Sequence, residues 1–306
     1  MKPTLFLLAS LLLPGPALAG APLAPKADRN VMVLAHRGCW EGGAPEVSVA
    51  AIRACEAIGP EMVEVDVRRT RDGALVLMHD ETVDRMTNGN GRVADMTAAE
   101  IAALRLRSGG GGPDAPLTRE RVATLEDALN AARGRFILHL HLYAGPEADA
   151  EIAAAVRKLG MAGQVTAWVS GKPDGERLAS LALPGDIGVI PIIRQCGSVE
   201  TPGCWVPPVQ MLTGYAPYQP PGFYIIPEGS LSDEAALRFL KDTAAVPRPA
   251  GSRIQVSTLF TLDKLPLPEL QAQWQRLIAL GAGIIMTDRP AALINLLRSG
   301  ANADAK

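Results

Sequence analysis

Nine short apolar runs recur along the chain, beginning near Val31, Met62, Ala74, Phe136, Val165, Ile187, Phe223, Ile254 and Ile284. Their length and β-branched content read as strands. Helix-like stretches such as VSVAAIRACEAIG, TLEDALNAAR, ADAEIAAAVRKLG, DEAALRFLKDT and ELQAQWQRLIALG lie between most of them. Such alternation predicts a parallel sheet covered by helices. The second and third runs are separated only by Thr70-Arg71-Asp72-Gly73, whereas a parallel crossover needs about a dozen residues. They are expected to form a hairpin. Eight parallel strands then remain, and eight β/α units over about 250 residues predict an α/β fold of the (β/α)8 TIM barrel type. The segments at 187 and 223 have no clean helix pattern between them.

In such a barrel the site lies at the carboxyl ends of the strands. The chain has four histidines, His36, His79, His139 and His141, and each stands in or at the end of an apolar run. Alternation places Glu64 and Asp66 on one face of MVEVDVR, and His139 and His141 on one face of FILHLHL. A tight TRDG turn gives opposed residue numbers that sum to about 143, which sets His79 beside Glu64. The segment from Glu81 to Leu125 is too long for an ordinary connection and is expected to be an inserted subdomain or lid. Within it, SGGGGPDAP reads as a flexible linker rather than a phosphate-binding loop, because no strand feeds it and no Lys-Ser or Lys-Thr ends it.

The opening residues MKPTLFLLASLLLPGPALAG read as a signal peptide over residues 1–19, leaving one barrel domain over residues 20–306. The protein is expected to be exported, periplasmic or secreted, with no membrane span. A formal charge of -2 argues neither for nucleic acid nor for an anionic membrane surface as partner and leaves a small molecule as the default. Oligomeric state is left open. Of the four cysteines, Cys196 and Cys204 flank a short loop and are the pair expected to bond. Cys55 reads as packed on a helix, and Cys39 follows a turn.

Glu64 and Asp66 form half of a hard-cation site. Their competing explanation is pairing with Arg68 and Arg69. His36-Arg37-Gly38 ends the first strand, where a guanidinium can fork onto a phosphate and a histidine can serve as acid or base.

The series LAHRG, APEVSVAAIRACEAIG, MVEVDVRRTRDGALVLMHDETVDRMTNGNGRV, TLEDAL, FILHLHL and IIMTDRP resembles the glycerophosphodiester phosphodiesterase family. The likeness runs from about Val33 to Pro290, densest up to Val93. It implies a barrel with an insertion and one divalent cation, usually calcium or magnesium, held by Glu64 and Asp66. It also implies an acid/base pair of His36 and His79, phosphate binding by Arg37, and a supporting role for Glu46 of the Pro-Glu element. The implied substrate is a small phosphodiester, cleaved to sn-glycerol 3-phosphate and an alcohol.

The chain departs from the family at several places. Where the family reads I-E-I-K, with a metal-binding glutamate and a phosphate-binding lysine, His139 and His141 are taken to stand. Val47 replaces an asparagine, and RIQVSTLF lacks an expected tryptophan. A set of Glu64, Asp66 and His139, with His141 on the substrate, favours zinc, manganese or iron over calcium. Two other readings stay open. One is a barrel without catalysis that only binds a phosphorylated ligand. The other is a phospholipid-cleaving enzyme in which the Pro- and Gly-rich stretch from Gly197 to Gly222 covers a head group.

Overall fold

Eight strands close on themselves in a computed structural model that describes residues 23–169, 187–195 and 208–304. The expected signal peptide and the Cys196/Cys204 pair lie outside the described residues, as do residues 197–207 of the Pro- and Gly-rich stretch. The parallel strands are β1 (Met32–Ala35), β2 (Met62–Arg69), β6 (Ile137–Leu142), β7 (Val165–Val169), β8 (Gly188–Arg194), β9 (Gly222–Ile226), β10 (Arg253–Ser257) and β11 (Ala282–Thr287). They pair in that order, and β1 joins both β11 and β2 to complete the ring. The described helices around it are α1 (Val49–Ile58), α3 (Leu125–Ala132), α4 (Asp149–Lys158), α5 (Pro208–Tyr215), α6 (Glu234–Ala244), α7 (Leu267–Ala279) and α8 (Pro290–Asp304). None is long and apolar enough to cross a membrane.

Strand alternation sorts the residues into two cores. Val63, Val65 and Val67 of β2 face outward and pack with α1 and α3, while Met62 faces inward with Met32, Leu34, Ile284 and Met286. Leu23 plugs the amino end of the interior. Beside it the buried Glu61 accepts hydrogen bonds from the Val33 amide at 2.8 Å and from Arg29 Nε at 2.6 Å. Helix starts follow local chemistry. Ser48 caps α1, and Thr124 with Asp127 forms a reciprocal capping box on α3, each cap contributing about 1 kcal/mol.

The hairpin exists, in a different register. In β3 (Leu75–Leu77), Leu77 opposes Val67 and Leu75 opposes Arg69, so opposed numbers sum to 144. The one-residue slip removes the expected pairing of His79 with Glu64. His79 instead follows the end of β3, and its carbonyl accepts from Arg68 Nε at 2.9 Å and Nη2 at 2.7 Å.

Between β3 and α3, a short α2 (Ala98–Ala103) and a hairpin of β4 (Arg105–Arg107) with β5 (Leu117–Arg121) enclose a small core of Val83, Met86, Val93, Ile101 and Leu106. The stretch expected to be a flexible linker is a folded loop here. Gly109 O accepts from the Glu46 amide at 2.9 Å, and Gly110 O accepts from Arg85.

The disulfide also differs from expectation. Cys39 bonds Cys55, with Cα atoms 5.1 Å apart. The turn after β1 explains the pairing. Arg37 and Gly38 take φ of +56° and +84°, which folds Cys39 back over α1. A Cβ on Gly38 would lie 2.7 Å from Ala51 Cβ, so glycine is required by both conformation and contact.

Candidate active site

At the carboxyl end of β1 the turn aims the Arg37 amide at Glu64 Oε2, 2.8 Å away. Left-handed conformations at residues other than glycine cost on the order of 1–3 kcal/mol and gather where surrounding structure demands them. The Arg37 side chain is gripped by Glu46, with Nη1 donating to Oε1 at 2.9 Å and Oε2 at 3.1 Å. Its Nε stands 3.8 Å from Asp66 Oδ2. Glu46 is held in turn by Arg85, whose Nη2 donates to Oε1 at 2.7 Å. Val47, at φ +50°, occupies a left-handed position that suits asparagine better than a β-branched residue, and its amide donates to Arg37 O.

Glu64 and Asp66 are both almost wholly buried. Arg68 and Arg69 do not pair with them: the first holds His79 O, and the second reaches Gly73 O and Glu151. Glu64 Oε1 and both Asp66 carboxylate oxygens lack hydrogen-bond donors. Burial, followed by repulsion from Asp66, pushes the Glu64 carboxyl well above the usual range. Burial acts the same way on Asp66, but His141, His79 and Arg37 outweigh it and hold Asp66 below its ordinary value. Two adjacent buried carboxylates with unsatisfied oxygens fit a cation.

The third member of that cluster is His141. Glu64, Asp66 and His141 each offer a ligand atom within 4.8 Å of the others, the only such group among the described residues. His141 Nδ1 lies 3.2 Å from Asp66 Oδ1. His139 stands apart, fully buried, with Nδ1 2.7 Å from Thr166 Oγ1. Burial, with a smaller contribution from His141, pushes its pKa down to about 3, so it is a neutral core imidazole. The strand register explains the difference: Glu64 pairs with His139 and Asp66 with His141, one step nearer the mouth. Moving the I-E-I-K comparison by two residues sets His141 at the glutamate and Tyr143 at the lysine. Tyr143 packs against both flanking histidines, with ring centroids 4.2 Å from His141 and 5.9 Å from His79. Arg68 covers its ring at 4.3 Å.

His36 and His79 share a construction. His36 Nδ1 is 2.8 Å from Asp288 Oδ1, and His79 Nδ1 is 2.7 Å from Asp80 Oδ1. Each aspartate fixes the tautomer with the proton on Nδ1 and leaves Nε2 for other work. Asp288 is placed by Asp263, which accepts from the Asp288 amide at 2.7 Å and from Thr287 Oγ1 at 2.9 Å. Burial raises the Asp263 carboxyl above its ordinary value despite these donors. Asp80 is held well below the usual range, first by Arg85 and then, against burial, by His79.

A cavity of about 490 Å³ opens over these groups and is lined by His36, Arg37, His79, His141 and Tyr143 among others. Trp168, on β7, meets His139 at 4.4 Å and His141 at 4.9 Å between ring centroids. It supplies a tryptophan to the barrel mouth, though from β7 and not from the strand near Ile254. The aspartates, Arg85 and Tyr143 escaped prediction as site residues. Asp80 and Asp288 stand inside the quoted HD and TDRP elements, so their signal was present.

Residues 36–163 match the model of the glycerophosphoryl diester phosphodiesterase family. A glycerophosphodiester phosphodiesterase of Caldanaerobacter subterraneus is 29% identical over 280 residues, spanning 89% of this chain and 99% of that protein. Over these residues the chain is similar to the glycerophosphodiester phosphodiesterase family. Family members are phosphoric diester hydrolases by name. A crystal structure of a glycerophosphoryl diester phosphodiesterase from Parabacteroides distasonis superposes with a TM-score of 0.69 at 24% identity, covering 90% of this chain and 88% of that one. An Oleispira antarctica phosphodiesterase, solved with the product sn-glycerol-3-phosphate, gives a TM-score of 0.60 at 20% identity over 87% of this chain and 96% of that one. At these identities the likeness speaks for the barrel fold.

Proposed function

We propose that this protein is a metal-dependent phosphodiesterase that hydrolyses glycerophosphodiesters to sn-glycerol 3-phosphate and an alcohol. One observation carries the reading: two histidines, each backed by an aspartate on Nδ1, border the same cavity as Arg37 and the Glu64, Asp66 and His141 cluster. The product seen in the Oleispira phosphodiesterase is the one this reaction would release.

Glu64, Asp66 and His141 would hold the cation. Two carboxylates and one imidazole favour zinc, manganese or iron over calcium. Bound there, the ion supplies Lewis-acid stabilisation of phosphoryl charge. Arg37, kept rigid by Glu46, faces the cavity and adds positive charge against the phosphoryl oxygens. One histidine takes the proton of the attacking hydroxyl at Nε2 as the new P–O bond forms. The other, protonated, delivers its Nε2 proton to the leaving alcohol oxygen as the old P–O bond breaks. The attacking hydroxyl is that of water, or it is the 2-hydroxyl of the glycerol, in which case a cyclic phosphate forms and water opens it in a second step with the two histidines exchanging roles, giving sn-glycerol 3-phosphate.

The test is hydrolysis of glycerophosphocholine by purified protein stripped of metal and resupplied separately with calcium, magnesium, manganese or zinc. Turnover is expected, with manganese or zinc above calcium. No turnover with any cation would reject the enzyme and favour a barrel that binds a phosphorylated ligand. Highest activity with calcium would reject the softer donor set.

A further inference from the structure

Glu46 and Asp80 serve different working groups, and a single guanidinium holds both. Glu46 grips Arg37, while Asp80 backs His79. Arg85, from the inserted subdomain, donates from Nε to Asp80 Oδ2 at 2.6 Å and from Nη2 to Asp80 Oδ1 at 2.8 Å. The same Nη2 donates to Glu46 Oε1 at 2.7 Å. Arg85 does not line the cavity, so any part it takes in the chemistry passes through these two carboxylates. The other dyad is built differently, with Asp263 accepting from the Asp288 amide at 2.7 Å.

The glycine-rich loop of the subdomain sets Arg85 in turn. Gly110 O accepts from its Nη1, and the Gly112 amide donates to Arg85 O at 2.8 Å. Between them Gly111 takes φ +72°, and a Cβ there would lie 2.5 Å from Arg85 O, so the loop can close on Arg85 only with glycine at this place. Backbone and side chain of Arg85 are both fixed where they meet the carboxylates. Asp80 gives Oδ1 to His79 and Arg85 alike, so turning the carboxylate away from one disturbs the other. Glu46 is buried and shares Oε1 between Arg37 and Arg85, which anchors it from behind. Charge-assisted bonds of this kind are strong and directional.

We propose that Arg85 is a positioning residue of the reaction, which sets the His79 imidazole through Asp80 and the Arg37 guanidinium through Glu46. Proton transfer and phosphoryl binding then depend together on one side chain of the inserted subdomain. This inference rests on the phosphodiesterase reading.

Steady-state kinetics on glycerophosphocholine test it with Arg85→Gln, Asp80→Asn and Glu46→Gln, alone and paired. Arg85→Gln is expected to lower kcat and raise KM, each about tenfold, as loss of a hydrogen bond between charged groups predicts. Asp80→Asn should act mainly on kcat and Glu46→Gln mainly on KM. Added to Asp80→Asn, Arg85→Gln should lower kcat little further, and added to Glu46→Gln it should raise KM little further. Full additivity in both pairs would overturn the proposal. Arg85→Lys keeps the charge without the fork, so it should recover only part of either parameter, and unaltered kinetics in that variant would overturn the proposal. Arg92→Gln, at an exposed pair with Glu81 in the same subdomain, should leave both parameters unchanged. Equal losses in this variant would assign the effect to the subdomain at large and overturn the role of Arg85. Nitrogen-15 spectra of the histidine rings read the same linkage without turnover, since the chain has only four histidines. Arg85→Gln should move the His79 ring signals and leave those of His36 in place, and unmoved His79 signals would overturn the proposal. Moved His79 signals, with no hydrolysis of any diester by the unaltered protein, would uphold the link from Arg85 to His79 and reject the phosphodiesterase.

Discussion

His36 Nδ1 stands 2.8 Å from Oδ1 of Asp288, a residue 252 positions further along the chain. The contact fixes which imidazole nitrogen reaches the cavity. Replacing Asp288 by Asn leaves the shape but lets the ring turn or change tautomer. We expect Asp288→Asn to lower kcat about 10²-fold, within the range of a general acid/base contribution, with KM nearly unchanged. Steady-state kinetics on a glycerophosphodiester decide it, and unaltered kcat would remove the dyad from the mechanism.

The two histidines of β6 should separate cleanly. His141→Ala removes a proposed ligand, and metal affinity should fall by about 10²-fold or more in titrations with manganese or zinc. His139→Ala opens a void in the core and strands Thr166, so it should cost about 2–3 kcal/mol in urea unfolding and change metal affinity far less. The reverse pattern would restore His139 as the ligand.

Acid stability should carry the mark of His139. Its folded pKa of about 3 lies below the ordinary value of 6.5, with burial the main cause. Between these values the unfolded chain binds one more proton than the folded one. Stability should therefore decline as pH drops from 6.5 toward 3, by up to about 1.4 kcal/mol per pH unit from this residue. His139→Asn should shallow that slope when urea unfolding of the metal-free protein is followed from pH 7 to 4. Identical slopes would exclude the assignment.

The Cys39–Cys55 bond closes a short loop, with a sequence separation of 16, that includes Glu46 and starts two residues after Arg37. A loop of this length contributes about 3 kcal/mol in the chain-entropy account. The double variant Cys39→Ala with Cys55→Ala should lose stability of that order. It should also raise KM, because Glu46, which grips Arg37, lies on the loosened segment. Thermal melts and kinetics at a temperature well below the melt distinguish the two effects.

Strand periodicity made the barrel legible, since all eight parallel strands begin within two residues of the apolar runs that announce them. The same period told which face a residue takes and said nothing of depth. His139 and His141 share a face, yet one is a core group and the other meets the acid pair. Hairpin register slipped by one because turn residues alone do not say where the ladder begins. The disulfide was hidden for a different reason. Its pairing depends on two successive left-handed residues, Arg37 and Gly38, and only the glycine advertises such a conformation.

Closure of the barrel has a temporal meaning as well. β1 holds β2 through only two register pairs, Leu34 with Met62 and Ala35 with Val63, but holds β11 through four. The first strand is therefore completed largely by the last, and His36 meets Asp288 only after nearly the whole chain has emerged from the ribosome. A chain shortened before residue 282 can keep Glu64, Asp66, His141, Arg37 and the His79 dyad in sequence and still lack the ring that brings them together. The proposed site is a property of the closed ring, assembled only when the last barrel strand pairs with the first.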